Sequence, residues 1–330
     1  MHIELGQMLV LRLPQQLIKE TYLSVPGWDE LNGKLGLCRD RNRAIPEVKL
    51  PYRGYDKECC LLSYGEHLQR FNLKPEDPWL IVGVRNLGNN LRVIAWDQKR
   101  GLLELNGENA TTSGRPYWCL CKAHDGRLLI EKVSFGGGEP SRSDLMWAAS
   151  GQKLVWEGKS ASIIDVIPYT YDLRHVWKIP GTPVAGVGRA IAGELIEEAI
   201  GKFMEVANWP PQESANELIK FATTKGYNRE CDYMHSAIGI SENGDFVILV
   251  QQHGKFEDIA ETLIQAGAFR AIELDQGGSC SVMIGGSNEF NPGRVIFASH
   301  YFRPRGLALL IFHLNQLSEE TFVESSKLIT

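Results

Sequence analysis

The chain has 330 residues, 43% of them apolar, a net charge of -5 and a mean hydropathy of -0.19, which describes a globular protein and excludes disorder and collagen-like repeats. With no long run of Lys and Arg, nucleic acid is excluded as the principal partner. The longest apolar run, Gly306 to Phe312, falls far short of the roughly 18 residues that a membrane span requires.

Residues 1 to 75 read as an irregular N-terminal extension. A short apolar start, Met8 to Leu13, is stopped by Pro14, and Pro26, Pro46 and Pro51 punctuate the rest of the extension. Glu58 to Phe71 has apolar residues at helical spacing, ended by Pro75 and Pro78. From Trp79 the pattern turns to strands at Leu80–Val84, Leu91–Trp96, Leu102–Leu105, Tyr117–Lys122, Leu128–Val133, Trp147–Ala149 and Lys153–Trp156. After Pro183, two helical stripes, Ile191 to Met204 and Ser214 to Thr224, predict a helical hairpin inserted at about 187–231. Ser236–Ser241 and Phe246–Gln251 then flank Asn243-Gly244, a hairpin turn expected to hold positive φ at both central positions. Phe256 to Ile264 carries one apolar helical stripe with Gly267 as its stop. Leu307 to Phe312 is apolar on both faces, as a strand buried on both sides should be. The expected fold is mixed α/β: one main mixed sheet with packed helices over 76–330, the irregular extension before it and the helical insertion within it.

Seven cysteines make no disulfide framework and leave at least one thiol unpaired. Cys59-Cys60 and Cys119-Leu120-Cys121 lack the two-residue gap of zinc knuckles, and a strand is expected to hold its cysteines apart on opposite faces.

The chemistry-bearing stretch is Ala271-Ile272-Glu273-Leu274-Asp275-Gln276-Gly277-Gly278-Ser279, a strand that ends in a carboxylate and passes into two glycines and a serine before the next apolar run. Consecutive glycines let backbone N–H groups converge into an anion-binding concavity, with Asp275 at its lip. Glu273, two residues earlier, shares the strand face of Asp275 if the strand continues unbroken, and so is a second candidate carboxylate.

The order of these parts resembles the phosphodiester glycosidases. That family pattern is a hairpin beginning Arg-Thr-Ala-Ile-Gly, a helix, then Leu-Asp-Gly-Gly-Gly-Ser, and an arginine entering the last strand. The corresponding residues are His235-Ser236-Ala237-Ile238-Gly239, Leu274-Asp275-Gln276-Gly277-Gly278-Ser279 and Arg303-Pro304-Arg305, with Asn106-Gly107-Glu108 in place of an earlier Asn-Gly-Gly. Ala148 to Gly158 is similar to the segment that precedes the hairpin in that family. Histidine therefore stands where the family has arginine, and Gln276 where it has its first glycine. The resemblance implies a hydrolase-like site for a phosphorylated glycan or sugar phosphodiester. In it Asp275 is the carboxylate, Arg305 and Arg303 meet phosphate, and Gly277, Gly278 and Ser279 donate hydrogen bonds. His235 and Ser236 complete the wall, and Asn106 orients the sugar. No cofactor is required, although a divalent metal could be accommodated. The family's occurrence in phages also implies an alternative: a non-catalytic, homo-oligomeric or virion component. With no classical signal at the amino terminus, the expected location is cytoplasmic or within a phage particle.

Overall fold

The computed structural model describes residues 8–24, 71–74, 77–86, 93–105, 116–161, 235–251, 256–276, 280–285, 294–298 and 307–316, together with Leu68, Glu205, Glu213, Glu217 and Lys220. These residues form three antiparallel sheets. The strands in chain order are β1 (Met8–Leu13), β2 (Ile18–Ser24), β3 (Trp79–Asn86), β4 (Val93–Asp97), β5 (Gly101–Leu105), β6 (Tyr117–Ala123), β7 (Leu128–Val133) and β8 (Leu145–Ser150). They continue as β9 (Gln152–Trp156), β10 (Lys159–Ser160), β11 (His235–Ile240), β12 (Phe246–Gln251), β13 (Arg270–Gln276), β14 (Ser281–Gly285), β15 (Arg294–Ala298) and β16 (Leu307–Leu314). The first sheet runs β1-β12-β11-β13-β9-β10, the second β15-β14-β3-β16-β2 and the third β5-β4-β8-β6-β7. The protein is thus mainly β, which corrects the expectation of one mixed sheet covered by helices. Alternating apolar residues mark strands locally but leave open which strands pair, and here the pairing distributes them over three sheets.

A common core explains the arrangement. Leu11, Leu23, Leu80, Leu120, Ile238 and Phe312 are drawn from all three sheets into one apolar cluster. The outer face of each sheet is covered separately. Helix α1 (Phe256–Gln265) lays Ile259, Ala260 and Leu263 against Leu154, Ala237 and Leu249 of the first sheet. Leu68 and Leu73 cover Trp79, Ile81 and Ile311 of the second, and Phe135 packs on Cys119 and Cys121 of the third. The strand β16 shows the consequence. Leu310 and Phe312 enter the common core while Ile311 enters the outer cluster, so the strand is buried on both faces as its composition predicts. Each fully buried side chain of this size contributes about 2 kcal/mol of transfer free energy.

The segment 8–24 is not irregular. Strand β1 is added to the first sheet beside β12, Leu11 opposite Ile248, and β2 edges the second beside β16, Leu23 opposite Leu310. Pro14 ends β1 without ending the structure, because a one-turn 3-10 helix, Gln15–Leu17, carries the chain from one sheet to the next. A buried cation ties the second sheet to the third. Lys122, on β6, donates to the Thr21 carbonyl at 3.3 Å and pairs with the Glu20 carboxylate, and burial holds its ammonium pKa below the ordinary value.

Helix α1 ends as expected. Gly267 has φ +92°, its N–H bonds Ile264 O, and the Ala268 N–H bonds Leu263 O, the hydrogen-bond pair of a Schellman close. The hairpin turn differs from expectation. Gly244 alone has positive φ, its N–H bonds Ser241 O and the Ser241 N–H bonds Asp245 O, so the loop has three residues rather than two. In the predicted helical insertion, Glu205, Glu213, Glu217 and Lys220 are helical, with Lys220 and Glu217 3.7 Å apart; the rest of 187–231 lies outside the described residues.

Cys119, Cys121 and Cys280 are buried. Cys119 and Cys121 are two residues apart on β6, share a face and sit in one apolar cluster, which corrects the expectation that the strand separates them.

One titratable group on the second sheet gives the fold a pH dependence. His313 lies opposite Glu20 on β2 and Trp79 on β3. Its pKa is lowered from 6.5, first by burial and then by Lys19, with Asp77 opposing. A base whose folded pKa is depressed takes up its proton more readily once unfolded, so stability is lost as pH falls through 6.5. His313→Gln is expected to flatten the urea midpoint between pH 7 and 5 relative to the parent; parallel pH profiles would show that His313 is not responsible.

Candidate functional site

The two segments that carry the sequence motif are joined at the centre of the first sheet. Strand β11 lies between β12 and β13, and its register sets Ser236 opposite Asp275 and His235 opposite Gln276. Asp275 therefore lies beside the last pair of the ladder, where the chain is about to leave β13. Gly277, Gly278, Ser279, Arg303, Arg305 and Asn106 lie outside the described residues.

A bulge separates the two candidate carboxylates. Ala237 pairs with Glu273 and Ser236 with Asp275, so one step on β11 is matched by two on β13, with Leu274 as the extra residue. Regular alternation would have given Glu273 and Asp275 one face. The bulge cancels that rule and sets Asp275 in register with Ser236 instead. Bulges of this kind bend a strand and re-aim the residue that follows.

The faces of β11 then decide where the motif residues lie. Its pairing with β12 is regular from His235 to Ile240. Ile238, Ile248 and Val250 belong to the common core, whereas Ala237, Val247 and Leu249 belong to the cluster under helix α1. Alternation places Ser236 on the core side and His235 on the helix side. Both are fully buried. As neighbours on a strand, His235 and Ser236 thus occupy opposite faces of the first sheet.

On the helix side, His235 meets Glu273. The ring Nδ1 lies 2.5 Å from Glu273 Oε1, a hydrogen bond that joins the two strands. At 3% exposure Glu273 is an unusual place for a carboxylate, and a buried carboxylate needs a strong donor to offset its lost hydration. The sequence marks Glu273 as a candidate but holds no signal for this partner, which is contributed by a different strand.

The junction with the third sheet supports the same place. Strand β8 of the third sheet becomes β9 of the first through Gly151, whose N–H bonds Trp118 O at 2.8 Å. A Cβ on Gly151 would lie 2.5 Å from Glu273 O and 2.7 Å from Ile272 Cδ1. Gly151 is therefore the point at which the turn closes on β13, and Gln152 pairs with Glu273 immediately after it.

A separate cleft of about 740 Å³ opens at the other end of β11, lined in part by Lys19, Arg127, Glu242, Phe269 and Arg270. Five steps along β11, roughly 17 Å at about 3.3 Å per residue, separate its far end at Ile240 from His235. Among the described residues no group of three or more His, Cys, Asp or Glu side chains could hold a metal ion, and no helix is long and apolar enough to cross a membrane.

No protein-family model matches the sequence, and no curated protein matches it either. Among solved structures, the catalytic domain of zebrafish N-acetylglucosamine-1-phosphodiester alpha-N-acetylglucosaminidase, auto-inhibited by its pro-peptide, is a weak structural neighbour. The identity is 12%, the TM-score 0.37, and the match covers 73% of this chain and 74% of that one. A hypothetical protein from Synechocystis matches at 11% identity and TM-score 0.25 over 93% of this chain and 57% of its own. An exported protein from Burkholderia pseudomallei K96243 matches at 12% and 0.30 over 72% and 58%. The chain thus spans less than two thirds of the last two. None of the three is described as a phage or virion component.

Proposed function

We propose that the end of the first sheet where β13 leaves its pairing with β11 carries a hydrolase site for a sugar 1-phosphodiester. The observation that carries this reading is the register of Ser236 against Asp275, which joins two motif segments that lie far apart in the chain. Cleavage at the anomeric carbon releases a phosphate monoester, a stable anion that needs less protonation than an alkoxide. Such a reaction is served by an anion cradle and one carboxylate acting as nucleophile or base. Asp275 is that carboxylate. Gly277, Gly278 and Ser279 supply N–H and hydroxyl donors, Arg305 and Arg303 bind the phosphate, Ser236 lies beside the reacting group, and Asn106 orients the sugar. The test is release of free sugar from a panel of synthetic sugar 1-phosphodiesters by the full chain, with turnover on at least one member expected. A folded protein that turns over none of them, yet still binds a sugar 1-phosphate, would replace hydrolysis by glycan binding.

A further inference from the structure

His235 and Glu273 reach each other across 38 residues of sequence and bridge the two central strands of the first sheet on the face turned away from the common core. Their bond lies beside the bulge and within two residues of Asp275 on β13. Both side chains are almost wholly excluded from solvent, so neither presents itself to a ligand. A buried carboxylate–imidazole bond in that position can act on Asp275 only through the backbone. It fixes the separation of β11 and β13 where Leu274 is the extra residue of the bulge.

We propose that Glu273 is a positioning residue: by holding His235 through Nδ1–H it sets the backbone at Asp275. This rests on the hydrolase reading of the site. It reassigns His235 from a phosphate-facing residue to a support behind the sheet, and it assigns Glu273 that role in place of a reserve carboxylate. Outer-shell partners that orient a reacting group characteristically change activity about 10–100-fold when removed.

The test uses the full chain with Glu273→Leu and Glu273→Gln. Three quantities are read: the ¹⁵N signature of the His235 ring, the backbone amide shifts of residues 275–279, and kcat and KM on a sugar 1-phosphodiester. In the parent the ring proton is expected on Nδ1. Glu273→Leu is expected to abolish that signature, to move the amides of 275–279 and to lower kcat about 10–100-fold while KM changes less than about threefold. Glu273→Gln, whose amide oxygen still accepts from Nδ1–H, is expected to restore the ring signature and most of kcat. Glu273→Leu with parental amide shifts and parental kcat overturns the proposal. If that variant does not fold, His235→Asn, which keeps an N–H near the Nδ1 position, takes its place: parental amide shifts and kcat within about tenfold are expected, and loss of kcat with undisturbed amides overturns it. If the parent releases no sugar the hydrolase reading falls, and the ring signature with the amide shifts alone decides whether Glu273 positions the strand end.

Discussion

Asp275→Asn is expected to abolish release of sugar from a sugar 1-phosphodiester, by about 10³-fold or more, and to leave the fold intact. The substitution keeps the shape of the side chain and removes its ability to act as nucleophile or base. Losing a nucleophile or general base costs factors of this size in other hydrolases. Asp275 stands at the end of β13, opposite Ser236, where pairing with β11 is about to stop, so its replacement disturbs no long run of sheet. Thermal unfolding of the variant should therefore coincide with that of the parent within about 1 kcal/mol, the size of an ordinary single substitution. Undiminished turnover in the variant would remove Asp275 from the mechanism. Lost turnover accompanied by lost structure would show instead that the residue is needed for folding.

Gly151→Ala is expected to have the largest effect on stability, a loss of about 3 kcal/mol, at the upper end for inserting atoms into a closed space. The new methyl would collide with the Glu273 carbonyl and the Ile272 side chain. Neither can yield at little cost: the first is backbone paired into the centre of the sheet, and the second is fully buried in the common core. The strand pair β9–β13 must open to admit the methyl, and Glu273 moves with it. A fall in the urea midpoint accompanied by a fall in kcat is the expected pattern. An unchanged midpoint would mean that the turn does not close on β13 as described.

The difference between these two positions shows what kinds of information a chain exposes locally. Asp275 could be marked as a candidate because a carboxylate shortly before two glycines and a serine is a local pattern with local chemistry. Gly151 was legible only as a turn residue, since the atoms that forbid a side chain there belong to a strand more than a hundred residues later. His235 could be marked as a motif position, but the face it occupies depended on strand alternation within a sheet whose register the sequence does not state. The bulge at Leu274 had the same status. An uninterrupted alternation pairs Glu273 and Asp275 with alternate residues of β11, and a single extra residue brings them opposite the neighbours Ala237 and Ser236.

At the level of the fold, the sequence by itself determined where most strands lie, that the last strand is buried on both faces at Leu310 to Phe312, and that the helix before Arg270 ends at Gly267. Each of these comes from residue spacing, turn chemistry or composition within a dozen residues. Only the tertiary structure decided that the strands divide into three antiparallel sheets, that residues 8–24 complete two of them, and that Glu273 is bound to His235. Those outcomes are pairings between distant segments, selected by burial of a shared apolar core and by the need of a buried carboxylate for a donor. Neither influence is written at any one position of the chain.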